Sequence, residues 1–115
     1  MDRFKVVATA LIEHDIIKTG SKDIQLDIMM AAQPIYPILE ARRVANWFNI
    51  DEEKAEDLLE DLFVRNHFWR KKDKRRNSWL YSESHRALGL TEAQIDRQQK
   101  HRVAVRKIRI RKGKS

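Results

Sequence analysis

The chain contains no cysteine, which excludes both a disulfide framework and a thiolate zinc site. Its three glycines are scattered and form no phosphate-cradling loop. Four histidines, His14, His67, His85 and His101, lack metal-ligand spacing, and no nucleophile lies beside a plausible base. We therefore expect no enzyme activity, no cofactor and no metal. No apolar run approaches the roughly 20 residues of a membrane span. The opening Met1-Asp2-Arg3-Phe4-Lys5 has no signal-peptide pattern, so an intracellular location, cytoplasmic or nucleoid-associated, is expected.

What the chain has is positive charge: 24 Lys and Arg against 17 Asp and Glu give +7 and a pI near 9.9 in 115 residues. That length fits a single core, and the charge points to an anionic partner. Phe4, Val7, Ala8, Leu11 and Ile12 recur at helical spacing, predicting a helix over Phe4–Ile17. Thr19-Gly20-Ser21 breaks it, with Ser21 able to cap the next helix. Lys22–Ala32 carries both strand-like and helical patterns, and the helix is favoured. Pro34 and Pro37 mark an extended connector.

Ile38–Phe48 reads as a short helix with Ala41, Val44, Ala45 and Phe48 inward. Asp51 is an N-cap, and Ala55, Leu58, Leu59, Leu62 and Phe63 form the buried stripe of a further helix ending near Arg65-Asn66. The period then changes. His67–Arg70 and Ser78–Tyr81 suit strands, joined by the polar Lys71–Asn77 as a hairpin. After Ser84 comes a linker, then the capping-box pattern Thr91-Glu92-Ala93-Gln94 starting another helix. The basic tail beyond it is read as helix, strand or disordered arm.

Two helices on a very short turn, followed directly by a hairpin, resemble the winged-helix superfamily. The resemblance lies in the run from Arg43-Val44-Ala45-Asn46-Trp47-Phe48-Asn49-Ile50-Asp51 through Leu62 and in Phe68-Trp69-Arg70, nearly half of the chain. It implies an α+β, mostly helical fold: an N-terminal amphipathic helix over 1–20, a winged-helix domain over 21–84, and a linker with a basic C-terminal helix or tail over 85–115. It also implies a second helix in the DNA major groove and a wing on the backbone or minor groove.

Charge redirects that expectation. Within 51–61, Asp51, Glu52, Glu53, Glu56, Asp57, Glu60 and Asp61 face only Lys54, a net −6 that phosphate repels. Arg70, Lys71, Lys72, Lys74, Arg75 and Arg76 against Asp73 make the hairpin +5. Five neutralised phosphates would give a log–log salt slope of about −4.5. The tail adds Arg97, Lys100, Arg102, Arg106, Lys107, Arg109, Arg111, Lys112 and Lys114 with no acid.

The expected partner is double-stranded DNA, held by Arg70–Arg76 and by Arg102, Arg106, Lys107, Arg109, Arg111 and Lys112, with Arg42 and Arg43 adding backbone contacts. A transcriptional or replication regulator fits this pattern. The alternative is an adaptor whose acidic helix docks a basic protein while the tail holds RNA or a ribonucleoprotein. That helix could instead be a solvated face, or clamp the chain's own tail. Phe4–Ile17 offers a homodimer surface, and an anionic membrane is the weakest alternative. Trp47, Trp69 and Trp79 are assigned to packing rather than to base stacking.

Overall fold

A computed structural model describes residues 2–18 and 21–113. Thr19, Gly20 and Lys114 lie outside the described residues, as does the side chain of Lys112. In chain order the elements are α1 (Arg3–Glu13), α2 (Lys22–Ala32), α3 (Ala41–Phe48), α4 (Glu52–Val64), β1 (Trp69–Asp73), β2 (Ser78–Ser82) and α5 (Glu92–Gly113). The fold class is α+β, with helices dominant.

Asp2 starts α1 by accepting the Phe4 N–H at 2.9 Å, and its other carboxylate oxygen accepts the Trp47 indole N–H at 2.7 Å. The helix buries Phe4 and Ala8 against α3, where Phe4, Tyr36 and Trp47 meet with ring centroids 5.5 to 5.9 Å apart. Phe4 and Ala8 of its apolar face are thus buried within the chain, and Leu11 and Ile12 partly so. Val7, assigned to that face, is instead 48% exposed. α1 stops at Glu13, short of Ile17, because Asp15 takes a left-handed φ of 58°. α2 is helical as favoured, but Ser21 does not cap it. The Ser21 hydroxyl accepts the Lys18 N–H at 3.0 Å instead.

The proline segment is a turn rather than an extended connector: the Ile35 and Tyr36 N–H groups both return to the Ala32 carbonyl. Buried Gln33 fastens it to the end of the hairpin. Its Oε1 accepts the Glu83 N–H at 3.0 Å and its Nε2 donates to the Tyr36 carbonyl at 3.2 Å. Leu39, placed in a helix by the sequence, is extended and exchanges two backbone hydrogen bonds with Tyr81 at 2.7 and 2.9 Å. It therefore lies beside β2, and α3 begins only at Ala41.

The turn from α3 to α4 is Asn49-Ile50-Asp51. Asn49 takes the left-handed conformation (φ 52°), and the Asp51 carboxylate accepts the Lys54 N–H at 2.8 Å. All five residues of the predicted α4 stripe are buried, the three leucines and Phe63 each worth about 1.5–3 kcal/mol. β1 and β2 pair antiparallel from Trp69↔Ser82 to Asp73↔Ser78. Lys71, Lys72 and Asp73 are thus strand residues, and the loop proper is only Lys74–Asn77. Asn77 (φ 51°) closes it, and Asp73 accepts the Arg75 N–H at 3.1 Å.

α5 is a single helix opened by the predicted capping box: Thr91 Oγ1 accepts the Gln94 N–H at 3.2 Å and Gln94 Oε1 accepts the Thr91 N–H at 2.8 Å. Two side chains dock it onto the outer edge of β1. Gln98 acts as a surrogate strand, accepting the Arg70 N–H at 3.2 Å and donating to the Arg70 carbonyl at 2.6 Å. Arg102, 2% exposed, donates to Asn66 Oδ1 at 3.1 Å and to the Phe68 carbonyl. Its guanidinium carbon lies 4.3 Å from the Trp69 ring centroid and 4.5 Å from that of Phe63.

Burial, with Arg106 and Arg70 nearby, lowers the Arg102 pKa to about 10. It remains the cation that its donated bonds require. Replacing it leaves a carbonyl and an amide oxygen without a donor and opens a cavity between two rings. Arg102→Ala is expected to cost about 2–4 kcal/mol in urea denaturation. Exposed Arg111→Ala on the same helix should stay within about 0.5 kcal/mol. Equal midpoints for the two variants would contradict this role for Arg102.

Candidate nucleic-acid interface

Docking α5 against the outer edge of β1 creates a cleft of about 660 Å³. Its rim carries Lys71, Lys72 and Lys74 from the hairpin and Arg97 from α5, and its walls include Phe63, Trp79 and Leu90. No Asp or Glu lines it. Among the described residues, none of these four cations, nor Arg75 in the loop, forms an ion pair with a carboxylate. Uncompensated cations around a concave, low-dielectric surface concentrate positive potential there.

On the far side of Trp79 the balance reverses. A second cleft, between the hairpin and the N-terminal ends of α3 and α4, is lined by Glu40, Glu52, Glu53 and Glu56 against Arg42 and Arg76. Trp79 borders both clefts. The N-terminal end of α4 borders the acidic cleft and Phe63, near its C-terminal end, borders the basic one, so the charge conflict seen in the sequence is a feature of the folded surface.

The sequence-derived cations divide into three groups. Lys71, Lys72, Lys74 and Arg75 cluster on the hairpin, and exposed Lys107 and Arg111 extend the positive surface along α5. Arg42 is exposed and lies on the acidic cleft. The rest are engaged within the chain. Arg102 is buried, so it is removed from the contact surface. The Arg70 side chain is only 13% exposed, its guanidinium carbon 4.3 Å from both the Phe63 and Trp79 centroids and its Nη1 3.9 Å from Glu60. It too is structural.

Arg76 binds Glu40 at 2.8 Å, and Arg43 covers the Tyr36 ring at 4.1 Å with Asp2 at 3.7 Å. Arg106 is half-buried and contacts the Arg102 carbonyl at 3.5 Å. In the sequence Arg97 is one more tail cation, and it reaches the cleft only because α5 docks beside β1. Gln98 carried no signal that could have found it.

Arg109 bonds Asp61 at 2.7 Å, and Lys22 and Arg65 lie 3.3 and 3.8 Å from the same carboxylate. Three cations from three parts of the chain thus converge on one α4 acid. Glu56 accepts the Tyr81 hydroxyl at 2.5 Å. The acidic helix does hold the chain's own tail, at one point. Asp51 is spent on its cap, leaving Glu52, Glu53 and Asp57 as the exposed acids of α4 that make no ion pair among the described residues.

No family model, no curated protein and no solved structure matches this chain. Among the described residues no group of acids and histidines is arranged to hold a metal ion, and no helix is long and apolar enough to cross a membrane.

Burial alone would raise the Asp61 carboxyl, but the hydrogen bonds and charges of Arg109 and Lys22 outweigh it and hold the pKa below 3.8. Asp2 is lowered likewise, burial being outweighed by the Trp47 indole and the backbone N–H groups at the start of α1. Carboxyls depressed on folding contribute stability above their unfolded value, and that contribution is lost as the pH falls through the folded values. Urea stability should therefore drop between pH 5 and about pH 2. An Asp2→Asn/Asp61→Asn double variant should be less stable at pH 7 and lose less on acidification. Equal acid sensitivity in the two proteins would contradict this account.

Proposed function

We propose that the protein is a small winged-helix DNA-binding protein, a regulator of transcription or replication, that grips duplex DNA through its hairpin and α5 rather than through α4. The observation that carries this reading is the uncompensated basic cleft between β1 and α5. Lys71, Lys72, Lys74 and Arg97 converge there without a single acid, while acids line the groove between α4 and the hairpin. Phosphate contacts position a protein on a duplex without specifying sequence. Exposed Arg75, Lys107 and Arg111 prolong that contact along the backbone. With α4 turned to carboxylates, base reading by that helix is disfavoured.

The adaptor reading, in which α4 docks a basic protein, loses ground because Glu56, Glu60 and Asp61 already have partners within the chain. RNA remains the competing polyanion. A double-stranded RNA of matched length in the same titration separates the two.

Fluorescence anisotropy with a labelled duplex at several salt concentrations tests the proposal. Each phosphate-bound cation contributes about 0.9 to the log–log salt slope. A Lys72→Ala/Lys74→Ala/Arg97→Ala variant should therefore bind more weakly, with a slope reduced by about 2.7. Glu52→Gln/Glu53→Gln should bind as well or better, because it removes repulsion. Unchanged affinity and slope in the triple variant would overturn the proposal.

A further inference from the structure

The basic cleft has more than a duplex backbone requires. Cations on a protruding hairpin suffice to track phosphates, whereas here they ring a concavity with apolar walls. Trp79 and Leu90 are half-buried and face it, and Phe63 closes its inner end beneath His101. Gln94 stands beside them. Its Oε1 is taken by the Thr91 N–H, which leaves its Nε2 to donate.

The backbone of β1 adds a further pair of groups. Gln98 bonds the N–H and the carbonyl of Arg70, so those two groups point to the outer edge of the strand. In an antiparallel pair alternate residues share that orientation, which turns the N–H and carbonyl of Lys72 toward the same edge, beyond the reach of Gln98. Arg70 also lines the cleft, its guanidinium packed on the Trp79 ring at 4.3 Å. This guanidinium–aromatic pair, an amide donor, an open strand edge and the surrounding cations together suit a nucleobase and its own phosphate. A stacked, paired base inside a duplex cannot enter such a space.

Resting on the DNA-binding reading above, we infer that the cleft between β1 and α5 takes an unpaired nucleotide, so that the preferred ligand is DNA with a single-stranded end or junction. The phosphate sits among Lys72, Lys74 and Arg97, and the base lies against Leu90 and the Arg70–Trp79 pair within reach of Gln94. The interaction is non-covalent. Stacking on an aromatic or guanidinium plane tolerates any base, so the preference is for strandedness and not for sequence.

The test uses the full chain and three labelled ligands of equal total phosphate: a blunt duplex, the same duplex with a short single-stranded overhang, and a single strand. The overhang ligand should bind about tenfold more tightly than the blunt duplex. A 2-aminopurine in the overhang should change fluorescence on binding, and one inside the duplex should not. Leu90→Trp, which fills the cleft, and Gln94→Ala should each bring the ratio of overhang to blunt affinity toward one, with circular dichroism reporting that each variant is folded.

Equal affinity of the intact protein for blunt and overhang duplexes, with a silent 2-aminopurine, would overturn this inference and leave the duplex reading standing. Absence of binding to all three ligands at low salt would overturn both.

Discussion

The guanidinium of Arg102 rests on the rings of Trp69 and Phe63 and donates to the Phe68 carbonyl and to Asn66, at the junction of α4, β1 and α5. A buried cation needs hydrogen-bond acceptors and compensating electron density. Here the Asn66 amide oxygen and the Phe68 carbonyl accept from the two terminal nitrogens, the Nε–H has no partner, and two aromatic faces supply the density. Arg70 repeats the motif one step further, between Phe63 and Trp79. Phe63 therefore serves two guanidiniums, and the helix, the hairpin and the tail are fastened by a single cluster of cations and rings.

The basic cleft follows from that docking. α5 is brought alongside β1, which places Arg97 opposite Lys71, Lys72 and Lys74. Trp79 stands between this basic cleft and the acidic one. Farther along α5, Arg109 is drawn onto Asp61, where Lys22 and Arg65 have already gathered. The α4 acids thus serve two ends. Some neutralise cations of the same chain, and the others, Glu52, Glu53 and Asp57, stay exposed and, on the proposed function, would repel a duplex from that face.

Much of the scaffold was legible because it rests on local rules. The Asp51 cap, the α4 stripe, the Thr91–Gln94 capping box and the hairpin all follow from short-range periodicity and hydrogen bonding. The errors lie where distant segments decide. Leu39 is extended because Tyr81, far along the chain, offers it two hydrogen bonds. Val7 faces solvent because α1 is rotated by the Phe4–Trp47–Tyr36 cluster.

The candidate site divides in the same way. Its hairpin lysines could be read from charge density alone. Arg70 and Arg102 looked the same as their neighbours in sequence, and only the three aromatic rings brought together by the fold distinguish a buried cation from one facing solvent. The cleft between two separate elements leaves no local signal at all.

The central claim is that the β1–α5 side, and not α4, meets the nucleic acid. Titrating a duplex into isotopically labelled protein and following backbone amide resonances tests it most directly. The account predicts shifts concentrated at Lys71, Lys72, Lys74 and Arg97, with Glu52, Glu53 and Asp57 little changed. Shifts centred on Glu52–Asp57, with the hairpin and α5 unmoved, would contradict it.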